Sequence, residues 1–146
     1  MAKKKEVDFS EQGRKNRARG GEFERKVRID LESKGWIVNK WMNNVDLSQD
    51  KIIPAKRKFN PFARVMTIGT GFPDFICFKK KGKSFEVVLI EVKKNGYLDK
   101  EEKEKSLWYL RNGIVNEIII AKKGMEGRKM FIDYVSFSKK YPKLCK

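Results

Sequence analysis

The segment Phe85–Lys94 constrains the fold more than any other part of the chain. It reads Phe-Glu-Val-Val-Leu-Ile-Glu-Val-Lys-Lys, and so strong a β-branched run is a strand. Pro73–Lys80 reads as its partner, with Lys81-Gly82-Lys83 as the hairpin turn. On either side the period changes. Phe23, Val27 and Leu31 recur every four residues within Glu22–Lys34 and make one apolar helix stripe, with Gly35 as its stop. Asp99–Asn112 predicts a second helix, capped by Asp99, ended by Gly113 and turning Leu107 and Leu110 inward. Trp36–Met42 reads as a strand and Arg64–Ile68 as a short one. Val115–Lys123 and Lys129–Phe137 follow as two more, joined by a turn at Gly124–Gly127. The expected core is therefore helix, three strands, helix, strand, plus an extra C-terminal strand: an α/β fold with a mixed central sheet flanked by helices. Residues 1–20 lack a hydrophobic period and predict a basic, mobile arm, and 21–146 a single domain. Residues 43–63, with Pro54 and Pro61 among basic residues, predict an irregular surface loop.

Absent residue types narrow the chemistry. The chain has no histidine and only two cysteines, Cys77 and Cys145. That removes histidine bases, Ser-His-Asp and Cys-His machinery, and imidazole or four-cysteine zinc sites. Cys77 lies in an apolar run and reads as a buried free thiol, which suits a reducing, intracellular setting. No apolar run approaches the ~20 residues of a membrane span, and no apolar signal core follows the first basic residues, so a soluble protein is expected. Any catalysis must use carboxylates, lysines, hydroxyls or a metal held by oxygen.

Charge points to a polyanion. Thirty-five Lys and Arg against 19 Asp and Glu leave a formal net charge of +16, and the excess is clustered. Residues 1–20 hold seven basic residues against three acids, and 51–66 hold five with no acid. Nucleic acid is the expected partner, although a lysine-coated surface alone can produce such a balance.

The acids stand out against that background. Side chains alternate along a strand, so Val87, Leu89, Glu91 and Lys93 share one face, apolar at its start and ionisable at its end. A solvent-facing salt bridge is one reading of Glu91 and Lys93. The preceding strand favours another, because Asp74 shares a face with Ile76 and Phe78, and the hairpin brings it to the end where Glu91 and Lys93 emerge. Two carboxylates meeting there repel unless a cation lies between them, and Mg²⁺ takes such oxygen ligands with water and substrate phosphate. A lysine beside it can orient or deprotonate a water, or neutralise transition-state charge. Glu24 falls about 100° from Phe23 on the helix, at the margin of the buried stripe. It either faces a functional cleft or pairs with a neighbour such as Arg28.

Gly71-Phe72-Pro73-Asp74-Phe75 followed by Leu89-Ile90-Glu91-Val92-Lys93 resembles the signature of the PD-(D/E)XK nuclease superfamily, and the element order resembles its restriction-endonuclease-like core. Within it, the chain is most similar to small VRR-NUC type nucleases and archaeal Holliday junction resolvases, over roughly residues 20–123. Those families carry a first-helix glutamate, which Glu24 matches. The resemblance implies Asp74, Glu91 and the Val92 carbonyl as ligands of Mg²⁺, with Mn²⁺ able to substitute. Glu24 would complete the metal site or hold a water on it, and Lys93 would act on the attacking water. The implied reaction is phosphodiester hydrolysis leaving 5′-phosphate and 3′-hydroxyl ends. Two departures stand out. VRR-NUC proteins commonly place a glutamine at the start of the helix after the lysine strand, where this chain offers only Glu102 or Lys103. Resolvases tend to use a hydroxyl residue ahead of the aspartate, here Thr67 or Thr70.

Arg14, Arg17, Arg19, Lys56, Arg57, Lys58 and Arg64, with Thr70, are the candidate DNA contacts, flanking the expected site in sequence and able to position a substrate without reading bases. Trp36, Trp41 and Trp108 are better explained by core packing than by base stacking. The 43–63 loop is expected to close over DNA or to join a dimer contact. The expected function is a metal-dependent endodeoxyribonuclease for branched or flapped DNA, a Holliday junction resolvase among the options. A resolvase would be a homodimer, since two symmetric cuts need two sites. Rival readings are a general flap or single-strand repair nuclease and a non-catalytic nucleic-acid-binding protein of the same fold.

Overall fold

A computed structural model describes the backbone of residues 9–55, 57–60, 65–68 and 71–145, with the side chains of Lys15, 20–55 and 71–145. Helix α1 (Phe9–Ser33) presents Phe23, Val27 and Leu31 as its buried stripe, as the four-residue spacing predicts. It closes on Gly35, whose φ of +91° lets Gly35 N–H reach the Glu32 carbonyl and Trp36 N–H the Leu31 carbonyl. The helix begins well inside the segment expected as a mobile arm. Gln, Arg, Lys, Ala and Glu there are good helix formers, and the packed turns downstream supply the nucleus that an isolated polar segment lacks.

Strands β1 (Ile37–Lys40), β6 (Phe75–Lys81), β7 (Ser84–Val92), β8 (Ile118–Glu126) and β9 (Lys129–Ser136) form one sheet in the order β1-β6-β7-β8-β9. Only β7 and β8 run parallel, joined by α2 (Lys100–Arg111), and the other neighbours are antiparallel. The fold is α/β with a mixed five-stranded sheet.

Alternation divides the core in two. Val38, Phe75, Cys77, Val88, Ile90 and Ala121 pack with the α1 stripe. Leu89, Ile118 and Ile120 pack on the other face with Tyr109 of α2 and Phe137 of the short α3 (Phe137–Lys140). β7 lies third of five and is buried on both faces from Val88 to Glu91, hence its nearly unbroken apolar run.

Three further expectations are corrected. Residues 43–60 contain strands: β2 (Asn43–Asp46) pairs with β3 (Lys51–Pro54), and β4 (Arg57–Asn60) with β5 (Val65–Ile68). Asp46 Oδ1 closes the first of these hairpins by accepting from the Ser48 and Gln49 amides. Val45, Leu47 and Ile52 pack this hairpin into the α2-side core. On α2 the fully buried residues are Ser106 and Tyr109, while Leu107 and Leu110 are half-buried. Gly124 belongs to β8, its missing side chain leaving room for the Phe131 ring, and the turn lies at residues 127–128.

Candidate active site

The loop that carries Asp74 is held from several sides. Phe72 N–H donates to the Asn43 carbonyl at 2.9 Å, and Trp41 N–H to the Asp74 carbonyl at 2.9 Å. Gly71 passes so close to the Trp41 carbonyl that a Cβ would overlap it, and that Cβ would lie 2.8 Å from the Asn43 carbonyl oxygen. The Phe72–Pro73 peptide is cis. From the far side, Tyr109 Oη donates to the Phe72 carbonyl at 2.6 Å and accepts from Trp41 Nε1 at 3.1 Å.

Across the hairpin, Phe75 pairs with Ile90 and Ile76 with Leu89, so one step further Asp74 faces Glu91. Asp74 Oδ2 accepts the Val92 amide at 2.8 Å. Glu91 is only 5% exposed, which rules out the solvent-facing salt bridge. Burial first, then the hydrogen bond to Asp74 and the negative charges of Asp74 and Glu102, push the Glu91 carboxyl far above its ordinary value. The pair thus resists carrying two bare negative charges side by side.

β7 ends at Val92, but Lys93 continues the ladder through its amide to the Ala121 carbonyl at 2.9 Å. Its ammonium pairs with Glu102 Oε2 at 2.8 Å. Burial pulls the Lys93 pKa down, yet the bond and charge of Glu102, with the charges of Glu91 and Asp99, outweigh it and hold the pKa above the ordinary lysine value. Lys93 is therefore a cationic donor here. Lys103, the other candidate on the first turn of α2, lies over the Tyr141 ring at 4.8 Å.

Glu24 reaches the same end of the sheet from α1. Burial and the charge of Asp74 raise its pKa against the opposing charge of Lys40. It lines an open groove of about 270 Å³ with Gly21, Arg25, Arg28, Lys40 and Phe75. Arg28 does not pair with it. Its guanidinium bonds Glu32 at 3.0 Å and the Val38 carbonyl at 3.1 Å.

Among the described residues, no group of three or more His, Cys, Asp or Glu could hold a metal ion by itself. The Asp74–Glu91 pair nevertheless suits Mg²⁺, whose sites need only one or two protein carboxylates and take hard oxygen donors. Burial raises the Glu91 pKa, so an ion there would compete with a proton on that carboxyl.

Of the expected DNA contacts, Lys56, Arg64 and Thr70 lie outside the described residues, as do the side chains of Arg14, Arg17, Arg19, Arg57, Lys58 and Thr67. Sequence reasoning missed Arg25 and Lys40, which flank Glu24 in its groove. Their adjacency to Glu24 on α1 and to the end of β1 was the available signal. The tryptophans serve the core. Trp41 and Trp108 meet Tyr109 edge-on, and Trp36 packs against the α1-side cluster. Trp108 Nε1 also donates to Asp50 Oδ1 at 2.5 Å, tying the β2–β3 hairpin to α2. Among the described residues no helix is long and apolar enough to cross a membrane. Compared with known proteins, the chain matches no family model, no curated protein and no solved structure.

Proposed function

We propose that this protein is a metal-dependent endodeoxyribonuclease of the PD-(D/E)XK type, cutting phosphodiester bonds in branched or structured DNA as Holliday junction resolvases do. The observation that carries the reading is the meeting of Asp74 and Glu91 at the ends of adjacent antiparallel strands, with Lys93 two residues beyond Glu91 and paired to Glu102. A structural salt bridge does not require two carboxylates to meet in the interior, whereas a cation site uses such a pair as its ligands.

In this reading Asp74, Glu91 and the Val92 carbonyl would hold Mg²⁺ or Mn²⁺, and Glu24, outside any three-acid cluster, would hold a water on the ion from α1. Such an ion supplies Lewis-acid polarisation of a phosphoryl oxygen. Lys93, kept cationic by Glu102, donates to the attacking water or to the phosphate as negative charge builds there. Arg25 and Lys40, beside Glu24, take neighbouring phosphates. The net charge of +16 supplies sequence-independent affinity.

The test is cleavage of labelled linear, flap and four-way-junction DNA with Mg²⁺ or Mn²⁺, beside Glu91→Ala and Lys93→Ala. Paired symmetric nicks in the junction, lost in both variants, are the expected result and imply a homodimer. Cutting confined to flaps or single-stranded ends keeps the site and moves the role to repair processing. Tight DNA binding with no cutting in either metal leaves a non-catalytic binding protein.

A further inference from the structure

Resting on that nuclease reading, we infer that Glu102 is a positioning residue, a carboxylate on the first turn of α2 that fixes the Lys93 ammonium against the Asp74–Glu91 pair. Its two oxygens have separate tasks. Oε1 accepts the Asp99 amide at 3.1 Å while Asp99 Oδ1 accepts the Glu102 amide at 2.8 Å, a reciprocal capping box. Oε2 takes Lys93 Nζ at 2.8 Å. A capping box uses one of the oxygens and leaves the other to water, as first-turn acids usually do. Glu101, the adjacent acid, illustrates the ordinary case. Its side chain is 69% exposed and pairs one turn along its own helix with Lys105. The Glu102 side chain is 15% exposed, and its partner comes from the end of a central strand.

The phase of α2 explains why Glu102 reaches the site. Residues 102, 106 and 109 fall within about 60° of one another on the helix, and Ser106 and Tyr109 are its fully buried members. The same face bonds the Phe72 carbonyl through Tyr109. One rigid helix thus holds the loop before Asp74 at one point and Lys93 at another. An ammonium on four rotatable bonds has many positions open to it. A carboxylate anchored by its own cap removes most of them before substrate arrives. Glu91 and Asp99 also act electrostatically on Lys93, but Glu102 is the carboxylate it bonds.

Three variants separate positioning from capping. Asp99→Ala breaks the box from its other side and leaves Lys93 paired. Glu102→Ala removes both functions. Glu102→Gln keeps the cap and a neutral acceptor for Lys93. On four-way-junction DNA with Mg²⁺, Glu102→Ala should lose about 10- to 100-fold in kcat with little change in KM, the usual cost of losing a supporting partner of a metal site. Asp99→Ala should melt lower yet keep kcat, and Glu102→Gln should fall between. Equal kcat for Glu102→Ala and Asp99→Ala, at a temperature where both are folded, overturns the inference and leaves the nuclease reading standing.

A second readout needs no activity. In a ¹⁵N-lysine NMR spectrum, the Lys93 ammonium signal, assigned by its absence from Lys93→Arg, should be slowed in exchange in the wild-type protein and lost in Glu102→Ala. If the wild-type protein is inactive but shows this signal, the nuclease reading fails and the Glu102 clamp holds. An unprotected Lys93 signal in the wild-type protein overturns the clamp itself.

Discussion

The Tyr109 hydroxyl donates to the Phe72 carbonyl at 2.6 Å, two residues ahead of Asp74, and accepts from Trp41 Nε1 on its other side. Desolvation lifts this buried phenol to about 12, so it remains a donor throughout the working range. Tyr109→Phe strands the indole N–H and the Phe72 carbonyl without a partner. The expected cost is about 1–3 kcal/mol, read by urea denaturation. The freed Asp74 loop should also lower cleavage in Mg²⁺ at a temperature where the variant is folded. A Tyr109→Phe protein as stable and as active as the wild type would remove Tyr109 from the support of the site.

Gly71 gives a sharper steric test. Gly71→Ala drives a methyl group into the Trp41 carbonyl, and the neighbour that must yield is backbone bonded to Asp74. Overpacking of this kind costs about 1–3 kcal/mol. Melting should fall by that equivalent, and at a temperature where the variant is folded its cleavage rate should fall too.

The buried carboxyls set the direction of pH dependence in EDTA. Glu91, and to a lesser extent Glu24, have folded pKa values above their unfolded ones. Their stabilisation is complete below about pH 4.5 and is lost as pH rises toward the folded values. Asp99 has the opposite sign, lowered chiefly by its bond from the Glu102 amide, so its contribution is lost only in acid, below about pH 4. Unfolding free energy should therefore decline from pH 5 to pH 8, and Glu91→Gln should remove most of that decline. Mg²⁺ at pH 8 should raise the wild-type melting temperature by linkage and leave that of Glu91→Gln unmoved. A flat wild-type profile, or equal Mg²⁺ shifts in both proteins, would count against competition between the ion and a proton on Glu91.

The two thiols should differ in reactivity. Cys77 is fully buried, and its thiol is pushed up to about 12 by desolvation, whereas Cys145 is exposed. A colourimetric thiol reagent should find one fast sulfhydryl per chain in native protein and two in urea. Two fast thiols in native buffer would mean that the α1-side core opens readily.

The meeting of Asp74, Glu91 and Lys93 was legible because it depends only on strand alternation and a short hairpin, both local. The choice between Glu102 and Lys103 was not, since it depends on how α2 is rotated against the sheet. Leu107, Trp108, Tyr109 and Leu110 are contiguous and span more than a full turn, so hydrophobic period could not choose a buried face. The bonds of Tyr109 to Phe72 and Trp41 choose it, across 37 and 68 residues of sequence. Strands β2 to β4 escaped notice for a different reason. Each is four residues long, too short for alternation to emerge from a basic, proline-containing stretch. The helical start of α1 has no apolar stripe, and only its packed continuation betrays it.

The two hairpins between β1 and β6 leave and rejoin the sheet at almost one point, where Trp41, Asn43, Phe72 and Asp74 bond one another. A segment whose ends are pinned together behaves as a cassette: the closure penalty for changing its length grows only logarithmically. Val45, Leu47 and Ile52 anchor the first hairpin to the α2-side core, and Asp50 bonds Trp108, so those residues are the ones an exchange must keep. The length of the segment between those anchors and Phe72 can therefore change while the sheet end that carries Asp74 and Glu91 keeps its register.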